Sequence, residues 1–352
     1  MTISTCIIAK NEEETIERIL KCVAKFSDEI IFVDTGSSDN TVAIASKYTD
    51  KIYNFKWQND FALARNFAFS MAKCEYLAWF DADDFITDEN LSKILKLKSA
   101  KARYDTYMFK YSCGFDEKDE PLLTFYRERL MLNCALAKFV GVVHETVSPF
   151  GKVAYTQVEV EHRKIKPSAP KRNLNIYRKI AKNANLSPRD LYYFGKEYYY
   201  NGYFKSAIKT FKKFLKNKGV YEPDLKDAYI TLYDCALKTG ESKPIKYLLN
   251  CLEKCFLDGE VFCKLGDEFS RLGNLQKSLD FYKCALTFEP SKFGFVRQEY
   301  YHIYPLLQLV KICYDLGRVD ESLFYHKKCV DKYPNDERVV FNARFFEKSG
   351  LV

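Results

Sequence analysis

The chain has 352 residues, enough for two folded domains, with 47% hydrophobic and 29% charged residues. That balance excludes a disordered or collagen-like polymer, and charged residues interrupt every apolar run before it reaches the 18 or so residues of a membrane span. The formal charge of +8 is uneven: residues 1–170 hold 23 Lys and Arg against 25 Asp and Glu, whereas residues 171–352 hold 32 against 22.

In chain order, the pattern opens on a strand, Thr2 to Ala9, with no basic leader before it, so no signal peptide is expected and the location reads as cytoplasmic. Asn11 and Glu14 stand at capping-box spacing ahead of Ile16, Ile19, Leu20 and Val23, which predicts a helix. A buried strand, Glu29–Val33, ends in the turn cluster Asp34-Thr35-Gly36-Ser37-Ser38-Asp39-Asn40, followed by a helix over Thr41–Tyr48. A short strand near Ile52, a helix from Asp60 to about Lys73 and the apolar strand Tyr76–Phe80 complete a βαβα order, which predicts a mostly parallel sheet. Carboxylates Asp81, Asp83 and Asp84 follow that strand at its carboxyl end, where α/β proteins open their ligand crevice. Oxygen ligands one residue apart suit Mg²⁺ or Mn²⁺ gripping a diphosphate, but they also suit an acidic turn in which Asp84 or Thr87 caps the next helix.

Beyond Asp105 the runs become β-rich. Thr106–Cys113 and Leu122–Leu132 flank a hairpin loop at residues 116–121, Val153–Val160 forms a further strand, and Lys166–Pro170 reads as a boundary. From Lys171 strand signals disappear. Turn glycines at 202, 240, 273 and 317 lie 38, 33 and 44 residues apart, and the Leu-Gly, Ala and Tyr rhythm of Phe262–Pro290 returns at Leu316–Pro334. This resembles tetratricopeptide repeats, which stack paired helices into a solenoid with a concave face suited to peptides. Twelve cysteines fall in predicted strands and helices without a Cys-x-x-Cys pair, so they read as reduced core residues.

Four motifs then fall in one order: Cys6-Ile7-Ile8-Ala9-Lys10-Asn11-Glu12, Val33-Asp34-Thr35-Gly36-Ser37-Ser38-Asp39, Asp60-Phe61-Ala62-Leu63-Ala64-Arg65-Asn66 and Asp81-Ala82-Asp83. Together they resemble family 2 glycosyltransferases of the GT-A fold over residues 1–165, followed by a linker and connecting helix at 166–185 and repeats at 186–352. The arrangement is similar to bacterial peptide glycosyltransferases of the glycocin S-glycosyltransferase type. The resemblance implies an inverting transfer from a nucleotide-diphosphate sugar, with UDP the expected nucleotide and Mg²⁺ or Mn²⁺ as cofactor. It implies that Lys10, Asn11, Glu12, Asp34, Arg65 and Asp81 hold the donor nucleotide, that Asp83 and His162 bind metal, and that Glu145 is the base. Asp84 and His144 are further substrate-binding candidates. The family more often carries an Asp after a Glu near the base, and Val142-Val143-His144-Glu145 departs from that pattern. The expected acceptor is a Cys, Ser or Thr of a peptide or protein. A cell-envelope saccharide is the alternative, as is a binding scaffold carrying an inactive transferase domain. The helical array also offers a surface for homodimerisation. No Walker or Gly-x-Gly-x-x-Gly loop is present, and no nucleic-acid partner is expected.

Overall fold

A computed structural model describes residues 1–116, 119–163, 165, 171–183, 185–291 and 294–351, which form two compact units, Met1–Glu197 and Tyr198–Val352. The boundary segment expected at Lys166–Pro170 and part of the 116–121 hairpin loop lie outside the described residues.

The first unit begins with β1 (Ile3–Ala9), α1 (Ile16–Val23), β2 (Glu29–Asp34), α2 (Thr41–Ala45), β3 (Ile52–Asn54), α3 (Phe61–Met71) and β4 (Tyr76–Asp81). Strands β3, β2, β1 and β4 run parallel in that spatial order. Their side chains point alternately to the two faces, so each face meets a helical layer. Ile7, Phe32 and Phe80 pack with Ile16, Ile19 and Leu20 of α1, while Cys6, Ile31 and Trp79 pack with Ala68 and Phe69 of α3. Helix α1 starts at Ile16 rather than at an Asn11 cap. Asn11 takes φ 57° and directs its side chain to the Ser38 N–H, 2.8 Å away, which joins the first loop to the turn after β2.

The sheet continues through β5 (Asp84–Phe85), α4 (Asp88–Ser99), β6 (Thr106–Phe115), β7 (Pro121–Leu132), the two-stranded ribbon of β8 (Phe139–Val140) and β9 (Thr146–Val147), and β10 (Val153–His162). Beyond β4 the order is β7, β6, β10, β5, and only β6–β10 is parallel there, so the sheet is mixed. Thr87 caps α4 by accepting from the Asn90 N–H. Helix α5 (Arg172–Asn183) and most of α6 (Pro188–Tyr200) are included in the first unit.

The second unit is helical: α7 (Phe204–Phe214), α8 (Glu222–Thr239), α9 (Ile245–Lys254), α10 (Gly259–Arg271), α11 (Leu275–Ala285), α12 (Ile303–Asp315), α13 (Val319–Lys332) and α14 (Glu337–Lys348). Its repetition is chemical as well as geometric. Ser278 donates to the Gly266 carbonyl and Ser322 to the Val310 carbonyl, each at 2.7 Å and each twelve residues back. At the corresponding hairpin turns Gly273 and Gly317 have φ 77° and 72°, and the next N–H reaches back to Phe269 and Cys313 in the six-to-one bond of a helix C-terminus. Gly266 has a packing role too, since a Cβ there would lie 2.7 Å from the Tyr282 ring. All twelve cysteines are free thiols, and among the described residues no helix is long and apolar enough to cross a membrane.

Candidate functional site

Parallel pairing places Ala9 beside Asp34 and Ile8 beside Asp81, so the loops after β1, β2 and β4 open at one edge of the sheet. Lys10 is exposed there. The backbone N–H groups of Asn11 and Glu12 are tied to the hydroxyls of Ser37 and Thr41, and the Glu12 carboxylate accepts from Thr15. Asp34 is 6% exposed and its two oxygens accept from the N–H groups of Gly36 and Ser37, which have their conformation fixed by Gly36 at φ 106°. Asp39 accepts from the Thr41 N–H at the start of α2, so it organises that turn.

Arg65 forms the centre of the site. Asp60 caps α3 by accepting from the Leu63 N–H, and one turn later Arg65 projects inward, buried against the rings of Trp79 and Phe139. Its Nε donates to Glu145 at 2.6 Å and its second terminal nitrogen to Asp81, so one guanidinium bridges two expected site carboxylates 64 residues apart in sequence. Burial opposes the Arg65 charge, but Asp81 and Glu145 outweigh it and raise its pKa. For Asp81, burial is likewise overcome by Arg65 and Arg129, which hold the carboxyl well below its usual range. The Oε2 of Glu145 makes no hydrogen bond among the described residues.

Asp83 and His162 meet just past the carboxyl end of β4. His162 Nδ1 lies 3.3 Å from Asp83 Oδ1 and 3.7 Å from Asp84 Oδ1, and the three residues could hold a metal ion together. That nitrogen is buried and lacks a well-formed hydrogen bond among the described residues. Two hard oxygens and an imidazole nitrogen fit Mn²⁺ or Mg²⁺. Burial would lower the imidazole pKa, but Asp83 and Asp84 outweigh it and push it up to about 10. Asp84 has no solvent exposure, and its carboxylate accepts from the Asp81 N–H at 2.9 Å, Tyr111 Oη at 2.9 Å and Arg129 at 3.0 Å. It therefore holds the turn while its Oδ1 faces His162.

Arg127 and Arg129 on β7 were not anticipated. Arg129 is fully buried between Trp79 and Tyr111, donates to the Trp79 carbonyl, and pairs with Asp84. Arg127 also lies over Trp79 and donates to the Glu145 carbonyl at 3.0 Å. The consecutive charges Arg127-Glu128-Arg129 inside the otherwise apolar run Leu122–Leu132 are the signal for them, since buried charges require partners.

The segment that delivers Glu145 is held from several directions. Gly141 and His144 take φ 93° and 55°, Phe61 N–H donates to the Val142 carbonyl, and Tyr177 Oη donates to the Val143 carbonyl. Arg189 donates to the His144 carbonyl. The His144 ring stacks on Tyr193 at 4.3 Å and its Nε2 lies 3.1 Å from Glu197. The structure thus brings Arg65, Asp81 and Glu145 into one ion-paired group beside Asp83, Asp84 and His162, leaves Lys10–Glu12 and Asp34 along the loop edge, and places His144 against α6.

Residues 4–148 match the family model for Glycosyl transferase family 2. The SPbeta prophage-derived glycosyltransferase SunS of Bacillus subtilis is 30% identical over 236 residues, covering 60% of this chain and 54% of SunS. The chain thus spans about half the length of that relative. An uncharacterized glycosyltransferase of Rickettsia typhi, RT0209, is 26% identical over 66% of this chain and 91% of its own length. Among solved structures, YrrB, described as a TPR protein with an unusual peptide-binding site, is 18% identical with a TM-score of 0.39, covering 49% of this chain and 83% of YrrB. Residues 4–148 are thus similar to family 2 glycosyltransferases, and helices resembling tetratricopeptide repeats follow them.

Proposed function

We propose that the chain transfers a sugar from a nucleotide diphosphate, with UDP the expected nucleotide, to a Cys, Ser or Thr of a peptide or protein, inverting the sugar centre in one in-line displacement. The observation that carries this reading is the Arg65 bridge, which sets Asp81 and Glu145 on either side of one buried cation next to Asp83 and His162. The open edge formed by Lys10–Glu12 and Asp34 receives the nucleotide base, and Asp81 takes the ribose. Asp83 and His162 would hold the divalent ion, which supplies charge stabilisation for the departing diphosphate. Glu145 accepts the acceptor's proton at Oε2 while Arg65 holds its other oxygen. Arg129 and Asp84 keep the Asp81–Asp83 turn in place, so that the site does not have to assemble when donor arrives.

The helical unit supports the choice of a peptide acceptor. Between α12 and α14 it holds a cavity of about 840 Å³ whose lining includes Tyr314, Phe341, Phe345, Lys311 and Arg338, a mixture of apolar anchors and charges suited to an extended chain. Calorimetric titration of a panel of nucleotide sugars, with and without Mn²⁺, tests the proposal. Metal-dependent binding of one donor, followed by inverted transfer to a peptide, is the expected result. Binding with transfer only to a saccharide replaces the acceptor, whereas no binding across the panel favours a scaffold carrying an inactive transferase domain.

A further inference from the structure

The positive charge of the molecule is concentrated in one short segment. Between Tyr198 and Tyr221 there are six lysines and no acidic residue, while the rest of the chain carries 49 Lys and Arg against 47 Asp and Glu. Helix α7 gives that segment a shape. Ala207, Ile208, Phe211 and Phe214 are buried on its inner side. Steps of four and three residues put Lys205, Lys209 and Lys212 on one outer stripe, Lys213 beside it, and Lys216 and Lys218 just past the helix end. All six are exposed, and none forms an ion pair among the described residues. The nearby acid Glu241 feels Lys212, but its salt bridge, at 3.2 Å, is with Lys246.

Unpaired lysines crowded on a helix repel one another, so a structural purpose does not account for them; an anionic partner does. Their type and setting indicate which partner. Lysine is a flexible point charge, whereas recognition of a single phosphate or phosphopeptide favours the arginine fork, and this segment contains no arginine. Tyrosines stand exposed at both ends of the helix, Tyr200 at 65%, Tyr203 at 36% and Tyr221 at 53%. Tyrosine bracketing a lysine cluster is the composition that settles at the headgroup level of a bilayer. We propose that the α7 face docks the protein peripherally on an anionic lipid surface, with the lysines reading headgroup charge and the tyrosines entering the interface. No membrane-spanning element is needed for this, and it is independent of which acceptor the transferase domain uses.

The test is co-sedimentation of the full chain with vesicles of phosphatidylglycerol and phosphatidylcholine in equal parts, compared with pure phosphatidylcholine, at low and high salt. Binding should require the anionic lipid and weaken as salt rises. Combined Lys205→Gln, Lys209→Gln and Lys212→Gln should lower the partition coefficient on the order of 100-fold, from roughly fivefold per lysine. A charge-matched control, Lys327→Gln, Lys328→Gln and Lys332→Gln on exposed positions of α13, should change it little. Equal loss in the two triple variants would reduce the effect to net charge and overturn the assignment. So would equal binding to both vesicle types, or retention by polyglutamate or nucleic acid with none by anionic vesicles.

Discussion

Both halves of the molecule hold ion pairs on buried carboxylates, Arg65 with Asp81 and Glu145 in the first and Arg297 with Asp227 and Glu260 in the second, but they differ in how their hydrogen bonds recur. In the first unit the contacts of the candidate site converge from distant positions: Arg65 joins residues 16 and 80 positions away, and Arg129 reaches back to Trp79 and Asp84. In the helical half the same short contact recurs, with Ser278 to Gly266 and then Ser322 to Val310. Convergent contacts make a site that one substitution dismantles, whereas recurrent ones distribute stability so that a defect stays within its repeat.

That contrast can be broken or sharpened by substitution. The largest effect is expected for Asp83→Ala, which should abolish metal-dependent donor binding and turnover, read by calorimetry and a transfer assay. Glu145→Gln should follow, lowering transfer by roughly 10²–10⁴-fold while sparing donor binding; near-normal transfer would remove Glu145 as the base. Arg129→Met leaves Asp84 buried without its cation and should cost about 3–5 kcal/mol in urea unfolding, although Arg129 touches no expected substrate.

A pH experiment adds a finer distinction. Because the folded pKa of His162 is pushed up to about 10, above an unfolded value of about 6.5, its contribution to stability is fully present below about 6.5 and is lost as pH rises through the folded value. Unfolding of metal-free protein should therefore become easier across that window, by at most about 1.4 kcal/mol per pH unit for one proton, and His162→Asn should flatten the profile. In the helical half, Gly266→Ala forces a methyl against Tyr282 and should cost about 1–3 kcal/mol with transferase-domain donor binding unchanged. Loss of donor binding there would end the comparison between convergent and recurrent halves.

Much of this architecture was legible because it is local. Short apolar runs marked β1, β2 and β4, the turn after β2 announced itself through Asp34, Gly36 and Asp39, and the glycine rhythm marked the helical hairpins. The Asp81-Ala82-Asp83 stretch and Arg65 pointed to the site from their context in sequence. What stayed hidden depends on the third dimension. No spacing rule shows that Arg129, on an antiparallel strand inserted beside β4, lies against Trp79 and occupies Asp84, or that Asp34 directs both oxygens into its own turn. The cap expected at Asn11 failed for a related reason: its side chain is drawn to Ser38, a partner that only the parallel pairing of β1 and β2 brings near.

The strapped segment at Gly141–Glu145 bears on how such proteins could be recombined. Its anchors Tyr177, Arg189, Tyr193 and Glu197 lie on helices that look, by composition, like the start of the solenoid. A chimaera that exchanges the helical arrays at residue 166 or 186 would therefore remove part of the loop's own frame and displace Glu145, whatever array replaces it. A junction placed after Glu197 keeps that frame intact, so the helical array could be exchanged between chains without disturbing the Glu145 carboxylate.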